Sequence, residues 1–156
     1  MSSRIAADTR IVADTSCLIG LDNIGKLDLL SKLYSEILVP PTVEQEFGAP
    51  ISFAEVCIPR NKDLVHSLRL VVGPGESEAI ALAKEEHCSI ILDDKKARLI
   101  AEELGLAVIG TVGILLKAKQ SEHITLLSET LARLEKDCFY ISVAVKREAL
   151  RLGGET

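Results

Sequence analysis

Short apolar runs alternate along the chain with segments whose apolar residues recur at helical spacing. Four runs predict buried strands, at residues 11–13, 37–39, 89–92 and 106–109, with a further short strand at 55–58. Helical patterns occupy the segments between and after them, at residues 18–33, 41–47, 64–70, 76–87, 97–104, 111–119, 126–134 and 143–152. Continuous apolar strands alternating with helices are typical of a parallel sheet covered on both faces. The pattern therefore predicts an α/β protein with three layers, α/β/α.

The length of 156 residues and the hydrophobic fraction of 47% suit one domain with a filled core. We expect that single domain to span 1–156, with flexible ends at 1–9 and 153–156. No run is long and apolar enough to cross a bilayer, and the first residues lack a signal-peptide pattern. The sequence thus predicts a soluble, cytoplasmic protein without membrane contact.

Composition limits the ligands and cofactors that the protein is expected to bind. The net charge of −5 argues against a broad basic face for nucleic acid, but not against a nuclease whose acids are neutralised by bound metal. An aromatic fraction of 3% argues against a base-stacking platform. The four cysteines lack the spacing of a zinc site and are expected to be small buried side chains. The glycine fingerprints for dinucleotides and for nucleoside triphosphates are absent.

Carboxylates stand at several element boundaries. Asp14 and the pair Asp93 and Asp94 end strands, and two glutamate pairs lie near helix starts: Glu44 with Glu46, and Glu76 with Glu78. In a parallel sheet these boundaries can share one edge, where converging carboxylates repel one another unless a cation binds. Oxygen ligands alone favour Mg²⁺ or Mn²⁺ over Zn²⁺, and such ions suit phosphodiester hydrolysis. The alternative is that these acids are ordinary helix caps.

Taken in order, the acidic segments resemble the successive motifs of the PIN-domain family. The motifs are VADTS at 12–16, VEQEF at 43–47, GESEAIALA at 75–83 and ILDDKKAR at 91–98. The segment GTVGIL at 110–115 and the tail at 131–155 resemble a prokaryotic branch that includes VapC-type toxin nucleases. The resemblance implies a Rossmann-like fold, Mg²⁺ or Mn²⁺, and metal-dependent endoribonuclease activity on RNA. It also implies an antitoxin protein as a possible partner.

The resemblance assigns catalytic and metal-binding roles to Asp14, Glu46, Glu76 and Asp94. Glu44 is the alternative to Glu46, Glu78 the alternative to Glu76, and Asp93 the alternative to Asp94. The third acid is usually Asp in the toxins, so a glutamate there is a departure that bears on the metal geometry. Three hydroxyls are predicted either to support the carboxylates or a water, or to cap helices: Thr15, Ser16 and Thr111.

Two other functions compete with the nuclease. The first is a PIN fold that binds RNA or a partner without cleaving. The second is a receiver-like regulator, but this chain lacks the lone Lys that receivers place after a late strand. Leucines in 27–33 and 126–134 exceed what one helix face needs. Surplus apolar surface of this kind predicts a homodimer, although the same leucines could instead pack under the C-terminal segment.

Overall fold

The structure, a computed structural model, describes residues 10–155, so the predicted flexible segment 1–9 lies outside the described residues. The centre of the fold is a five-stranded parallel sheet in the order β3-β2-β1-β4-β5. Its strands are β1 (Arg10–Ala13), β2 (Glu36–Val39), β3 (Ala54–Val56), β4 (Ser89–Ile91) and β5 (Val108–Ile109). Both the parallel sheet and the short strand near residue 55 agree with the sequence pattern.

Helices connect the strands and cover the sheet. They are α1 (Thr15–Asn23), α2 (Leu29–Leu33), α3 (Pro41–Phe47), α4 (Lys62–Leu68), α5 (Pro74–Glu86), α6 (Lys95–Glu103), α7 (Thr111–Gln120), α8 (Leu127–Lys136) and α9 (Val143–Leu152). Helix α5 begins two residues earlier than the pattern predicts because Pro74 is well suited to a first helical position. It ends at Glu86, and the following C-cap residue, His87, adopts a left-handed conformation.

Alternation along β1 explains the three layers. Ile11 and Ala13 pack into one apolar cluster with α1, α7 and α8, whereas Val12 packs into a second cluster with α5 and α6 on the opposite face. All three residues are fully buried because successive side chains of a strand point to opposite faces. The prediction of a three-layer α/β/α fold is thus confirmed.

The leucines that suggested a dimer lie largely inside this core. Leu127, Leu131 and Leu134 of α8 are fully buried, and Leu29 and Leu30 of α2 are buried as well. These side chains therefore contribute to the apolar cluster beneath the C-terminal helix and offer little surface to a second subunit.

The C-terminal tail is attached to α8 through Glu155. Its carboxylate accepts hydrogen bonds from the backbone N–H groups of Leu127 and Ser128, and from the ammonium group of Lys119. The two backbone bonds satisfy donors that the first turn of α8 leaves unpaired. The bond from Lys119 contributes most, and the backbone bonds further, to lowering the pKa of Glu155 to about 2. The segment 153–156, which the sequence predicts to be flexible, thus contains one anchored residue, Glu155. Thr156 lies outside the described residues.

Across residues 10–155, none of the helices has the length and apolar character needed to cross a membrane.

Candidate active site

The candidate site lies at the carboxyl edge of the sheet, between β1 and β4. Asp14 follows β1 directly, and Asp93 follows β4 by one residue. Chain connections leave this point in opposite directions, since β2 lies to one side of β1 and β4 to the other. In open α/β sheets, this switch in direction creates the crevice that ligands occupy.

Asp14 is the most deeply buried acid of the site. Its side chain is only 4% exposed, and its Oδ1 atom is buried with no hydrogen-bond partner. Burial is the main cause that raises the pKa of this carboxyl from an ordinary value of 3.8 to about 7; a hydrogen bond from the Thr15 backbone opposes the shift, and the charges of Glu76, Glu46 and Asp93 contribute to it. A buried carboxylate oxygen without a partner is costly, and a bound cation would relieve that cost.

Glu46 reaches the site from the last turn of α3. Its Oε1 atom accepts a hydrogen bond of 2.6 Å from the hydroxyl of Thr15. The carboxylate also lies against the backbone of Gly75, where an added Cβ would collide with Oε1 and lie 3.2 Å from Cδ. A glycine at the start of α5 therefore leaves the space that the Glu46 carboxylate occupies.

Glu76 stands in the first turn of α5, facing the same groove. Its Oε1 atom accepts a hydrogen bond of 3.0 Å from the N–H of Gly73, which is half of a capping box. Burial raises the pKa of Glu76, and the charges of Asp94 and Glu46 raise it as well. The residue thus combines a local helix-capping role with a position inside the acidic cluster.

Asp93 is held by two of the predicted hydroxyls. Its carboxylate accepts hydrogen bonds from the backbone N–H of Thr111 at 2.8 Å, from the Thr111 hydroxyl at 2.6 Å and from the Ser16 hydroxyl at 3.2 Å. These bonds fix its carboxylate beside Asp14, whose pKa it raises. All three predicted hydroxyls, including Thr15, therefore orient carboxylates of the site.

The predicted fourth acid, Asp94, and the alternatives Glu78 and Glu44 have other contacts. Asp94 caps α6, because its Oδ2 atom accepts the N–H of Ala97 at 3.0 Å, although the residue still borders the groove. Glu78 accepts the N–H and hydroxyl of Thr42, at 3.1 and 2.6 Å, and thereby joins α5 to the start of α3. Glu44 does not line the groove. For membership of the cluster around Asp14, the contacts favour Glu46 over Glu44 and Glu76 over Glu78, as the sequence does. For the fourth acid they favour Asp93, whereas the sequence-based choice is Asp94.

The groove also contains residues that the sequence reasoning did not assign to the site. It has a volume of about 1350 Å³ and extends from the acids to α9 and the loop before it. Gly75 and Arg98 border its acidic end, and Phe139 and the exposed Tyr140 border its apolar end. The aromatic residues are distant in sequence from the acidic motifs, so no spacing rule could have found them.

The expectation of buried cysteines holds for Cys17 and is wrong for Cys138, which is exposed at the groove.

The residues present fit a divalent cation. Within the described range 10–155, no three His, Cys, Asp or Glu side chains are grouped closely enough to hold a metal as they stand. The buried, unpartnered Oδ1 of Asp14 nevertheless lies among carboxylates that raise its pKa, and these acids supply only hard oxygen donors. A cation held by three of these carboxylates would require Glu46 or Glu76 to come closer to Asp14 than they stand here.

The fold and this edge define an α/β protein whose acidic crevice lies at a topological switch point. The sequence model described as a PIN domain matches residues 10–155, and the chain belongs to that family. No curated protein matches the chain. PIN domains are in general nucleases that act on RNA and use divalent metal ions.

Proposed function

We propose that this protein is a divalent-metal-dependent endoribonuclease that acts in the cytoplasm. Asp14 carries the proposal, because a buried carboxylate with an unpartnered oxygen is stable only if a cation or proton compensates it. Glu46, Glu76 and Asp93 are the further metal-binding residues, with Asp94 bordering them. Thr15, Ser16 and Thr111 position the carboxylates through the hydrogen bonds described above.

The chain's own residues account for much of the proposed reaction. One carboxylate of the cluster orients a water and accepts its proton as the water oxygen attacks phosphorus; the P–O bond to the leaving oxygen breaks, and that oxygen takes up a proton from solvent. Mg²⁺ or Mn²⁺, when bound by Asp14 and its neighbours, supplies Lewis-acid stabilisation for the charge that builds on the phosphate oxygens. The hydroxyls of Thr111 and Thr15 donate hydrogen bonds to the carboxylates of Asp93 and Glu46, and so orient these side chains at the groove.

A metal titration tests the proposal directly. At a Mn²⁺ concentration of about 100 times Kd, binding to the folded state alone adds about 2.7 kcal/mol to the free energy of unfolding. For a chain of this size that corresponds to a rise in melting temperature of roughly 5–10 °C. Calorimetry should show this rise, and the same metal should support cleavage of single-stranded RNA. The absence of both at millimolar Mn²⁺ would contradict the proposal.

The choice between Asp93 and Asp94 has its own test. We expect Asp93→Asn to abolish most cleavage, because it removes a charge that three hydrogen bonds hold in the cluster. Asp94→Ala removes a helix cap and should lower stability by about 1 kcal/mol while cleavage persists. Cleavage rates and thermal melts of the two variants check this. A larger loss of cleavage in Asp94→Ala than in Asp93→Asn would identify Asp94 as the fourth acid.

A second candidate is a PIN-fold module that binds RNA or a partner and cleaves nothing. It is favoured by one observation, that no three ligands stand together as placed among residues 10–155. RNA binding that is unaffected by Mn²⁺, without cleavage, would support this module in place of the enzyme.

We further propose a toxin role, with an antitoxin protein as partner, and a homodimer. A small upstream gene whose product suppresses cleavage would support the toxin role.

The dimer proposal rests on α9, whose Val143, Val145 and Leu152 are 70%, 49% and 47% exposed. Light scattering at micromolar concentration should return twice the chain mass of 16.9 kDa, and the mass of one chain would contradict the dimer.

A further inference from the structure

Three cations stand within the first four residues of α6: Lys95, Lys96 and Arg98. The positive end of the helix dipole favours acids at such positions, so these cations do not stabilise the helix there. Helices α3 and α8 instead carry an acid in the first turn, Glu44 and Glu129 respectively. Helix stability therefore does not explain these three cations, and the position of Arg98 suggests another role for one of them.

Arg98 lies at the border of the acidic site, where a hydrogen bond positions its guanidinium. Its Nη1 atom donates a hydrogen bond of 2.7 Å to the backbone carbonyl of Leu92, at the end of β4. A Cβ added to Gly110 would lie 2.8 Å from Nη1 and 3.1 Å from Oδ1 of Asp93, so the guanidinium rests on the glycine backbone beside that carboxylate. The side chain is partly buried and lines the groove.

The guanidinium has donors to spare. It carries five N–H groups, and one of them is committed to the Leu92 carbonyl. Within the part of the chain that the structure describes, Arg98 forms no ion pair with any carboxylate, unlike Arg10, which pairs with Glu36 and Glu86. Arg98 thus offers a positive charge and free donors to a molecule in the groove.

A phosphodiester is the group that such an arginine fits best. The acids around Asp14 repel a polyanion, and a net charge of −5 leaves no broad basic face to offset that repulsion. A planar guanidinium beside Asp93 can offset it locally, with paired hydrogen bonds to two phosphate oxygens.

We propose that Arg98 binds a backbone phosphate of the RNA next to the cleaved bond, and so holds the strand at the acidic cluster. This inference rests on the proposed nuclease function. The contact is to the backbone and carries no preference for a base. It exists in substrate and transition state alike, so it lowers KM more than it raises kcat.

The test compares Arg98→Gln with Lys96→Gln. Both remove one positive charge from the same helix turn, but Lys96 is exposed and does not line the groove. Binding is measured by fluorescence anisotropy with a labelled single-stranded RNA of mixed sequence, in an Asp14→Asn background that does not cleave, over a range of salt concentrations. Cleavage kinetics are measured in the wild-type background.

We expect Arg98→Gln to weaken RNA binding by about tenfold and to reduce the salt dependence by about one phosphate contact. KM should rise by a similar factor, and kcat should change little. Lys96→Gln should leave binding within about twofold. Arg98→Lys, which keeps the charge but loses the fork, should recover the salt dependence while affinity stays reduced.

Equal effects of the two glutamine variants would overturn the proposal, as would a lower melting temperature for Arg98→Gln with unchanged RNA binding. Were Arg98→Gln not to fold, Arg98→Lys decides alone, and wild-type affinity in that variant would overturn the bidentate contact. The proposed function fails separately, when the wild-type protein with Mn²⁺ cleaves no RNA although Arg98→Gln still weakens binding. A wild-type protein that neither binds nor cleaves RNA refutes both.

Discussion

Replacing Asp14 by asparagine is expected to abolish RNA cleavage while the protein stays folded. The change removes the buried charge nearest the centre of the cluster and keeps the shape of the side chain. We expect cleavage to fall by at least about 10²-fold, since even residues that only orient metal ligands contribute 10- to 100-fold. The Mn²⁺-dependent rise in melting temperature should disappear as well.

The metal-free stability of the same variant should change with pH in a defined way. The pKa of Asp14 is about 7 in the folded chain against an ordinary value of 3.8, so the folded state binds more protons between these values. The contribution of Asp14 to stability therefore falls as pH rises from about 4 to about 8, by on the order of 4 kcal/mol at the upper end. Asp14→Asn has no proton to lose at this position, so its stability should depend less on pH.

Thermal melts from pH 4 to pH 8 without metal measure this difference. Asp22→Asn is the matched control, because Asp22 is an exposed acid on helix α1, which follows Asp14 directly, and lies outside the groove. That variant should behave like the wild-type protein in both cleavage and pH dependence. An Asp14→Asn protein that unfolds at every pH would instead identify Asp14 as a structural helix cap.

Replacing Gly75 by alanine is expected to remove activity without removing stability. The new Cβ would occupy the space of the Glu46 carboxylate, which lies at the end of a flexible side chain and can move away. The collision therefore displaces a proposed metal ligand and disrupts its bond with Thr15, while the backbone stays in place. A displacement of about 1 Å at a reacting site can reduce the rate by about 10²-fold.

The control for this variant is Gly73→Ala, at the N-cap of the same helix α5. The nearest atom to a Cβ at Gly73 is Oε1 of Glu76 at 3.5 Å, which is an ordinary contact. We expect Gly73→Ala to keep most of the cleavage rate and Gly75→Ala to lose it, with melting temperatures within a few degrees of each other. A large loss of stability in Gly75→Ala, or equal rates for the two variants, would contradict the role assigned to Glu46.

The proposed Asp14 contribution also predicts how pH and metal act together. Metal binds the deprotonated carboxylate, so its stabilising effect should grow as pH rises, whereas the metal-free protein weakens. Glu76 acts in the same direction, because burial raises its pKa too. The stabilisation by metal should therefore increase most steeply with pH near the pKa of about 7 that Asp14 has in the folded chain.

The sequence by itself determined the layers, the strands and the acid after β1. Continuous apolar runs such as 37–39 must be buried on both faces, and parallel strands between helices follow from that requirement. Asp14 could be singled out because a carboxylate that ends a buried strand has few places to go other than the sheet edge.

Tertiary structure alone separated neighbouring acids. Asp93 and Asp94 are adjacent in sequence, and the difference between them lies in a hydroxyl and an N–H from Thr111, a residue 18 positions away for Asp93. Asp94 instead accepts the N–H of Ala97 in its own helix. Sequence spacing cannot express which partner each carboxylate finds, since both partners suit a carboxylate equally well.

Two further features depended on contacts between distant segments. Arg98 resembles a surface charge in the sequence, and only the approach of Gly110 to the end of β4 places its guanidinium beside Asp93. The leucines of α8 resemble surplus apolar surface, yet Leu131 and Leu134 are fully buried because the helix packs into the cluster that includes α1 and α7. Burial depends on which elements meet, and that is decided by the whole chain rather than by any one segment.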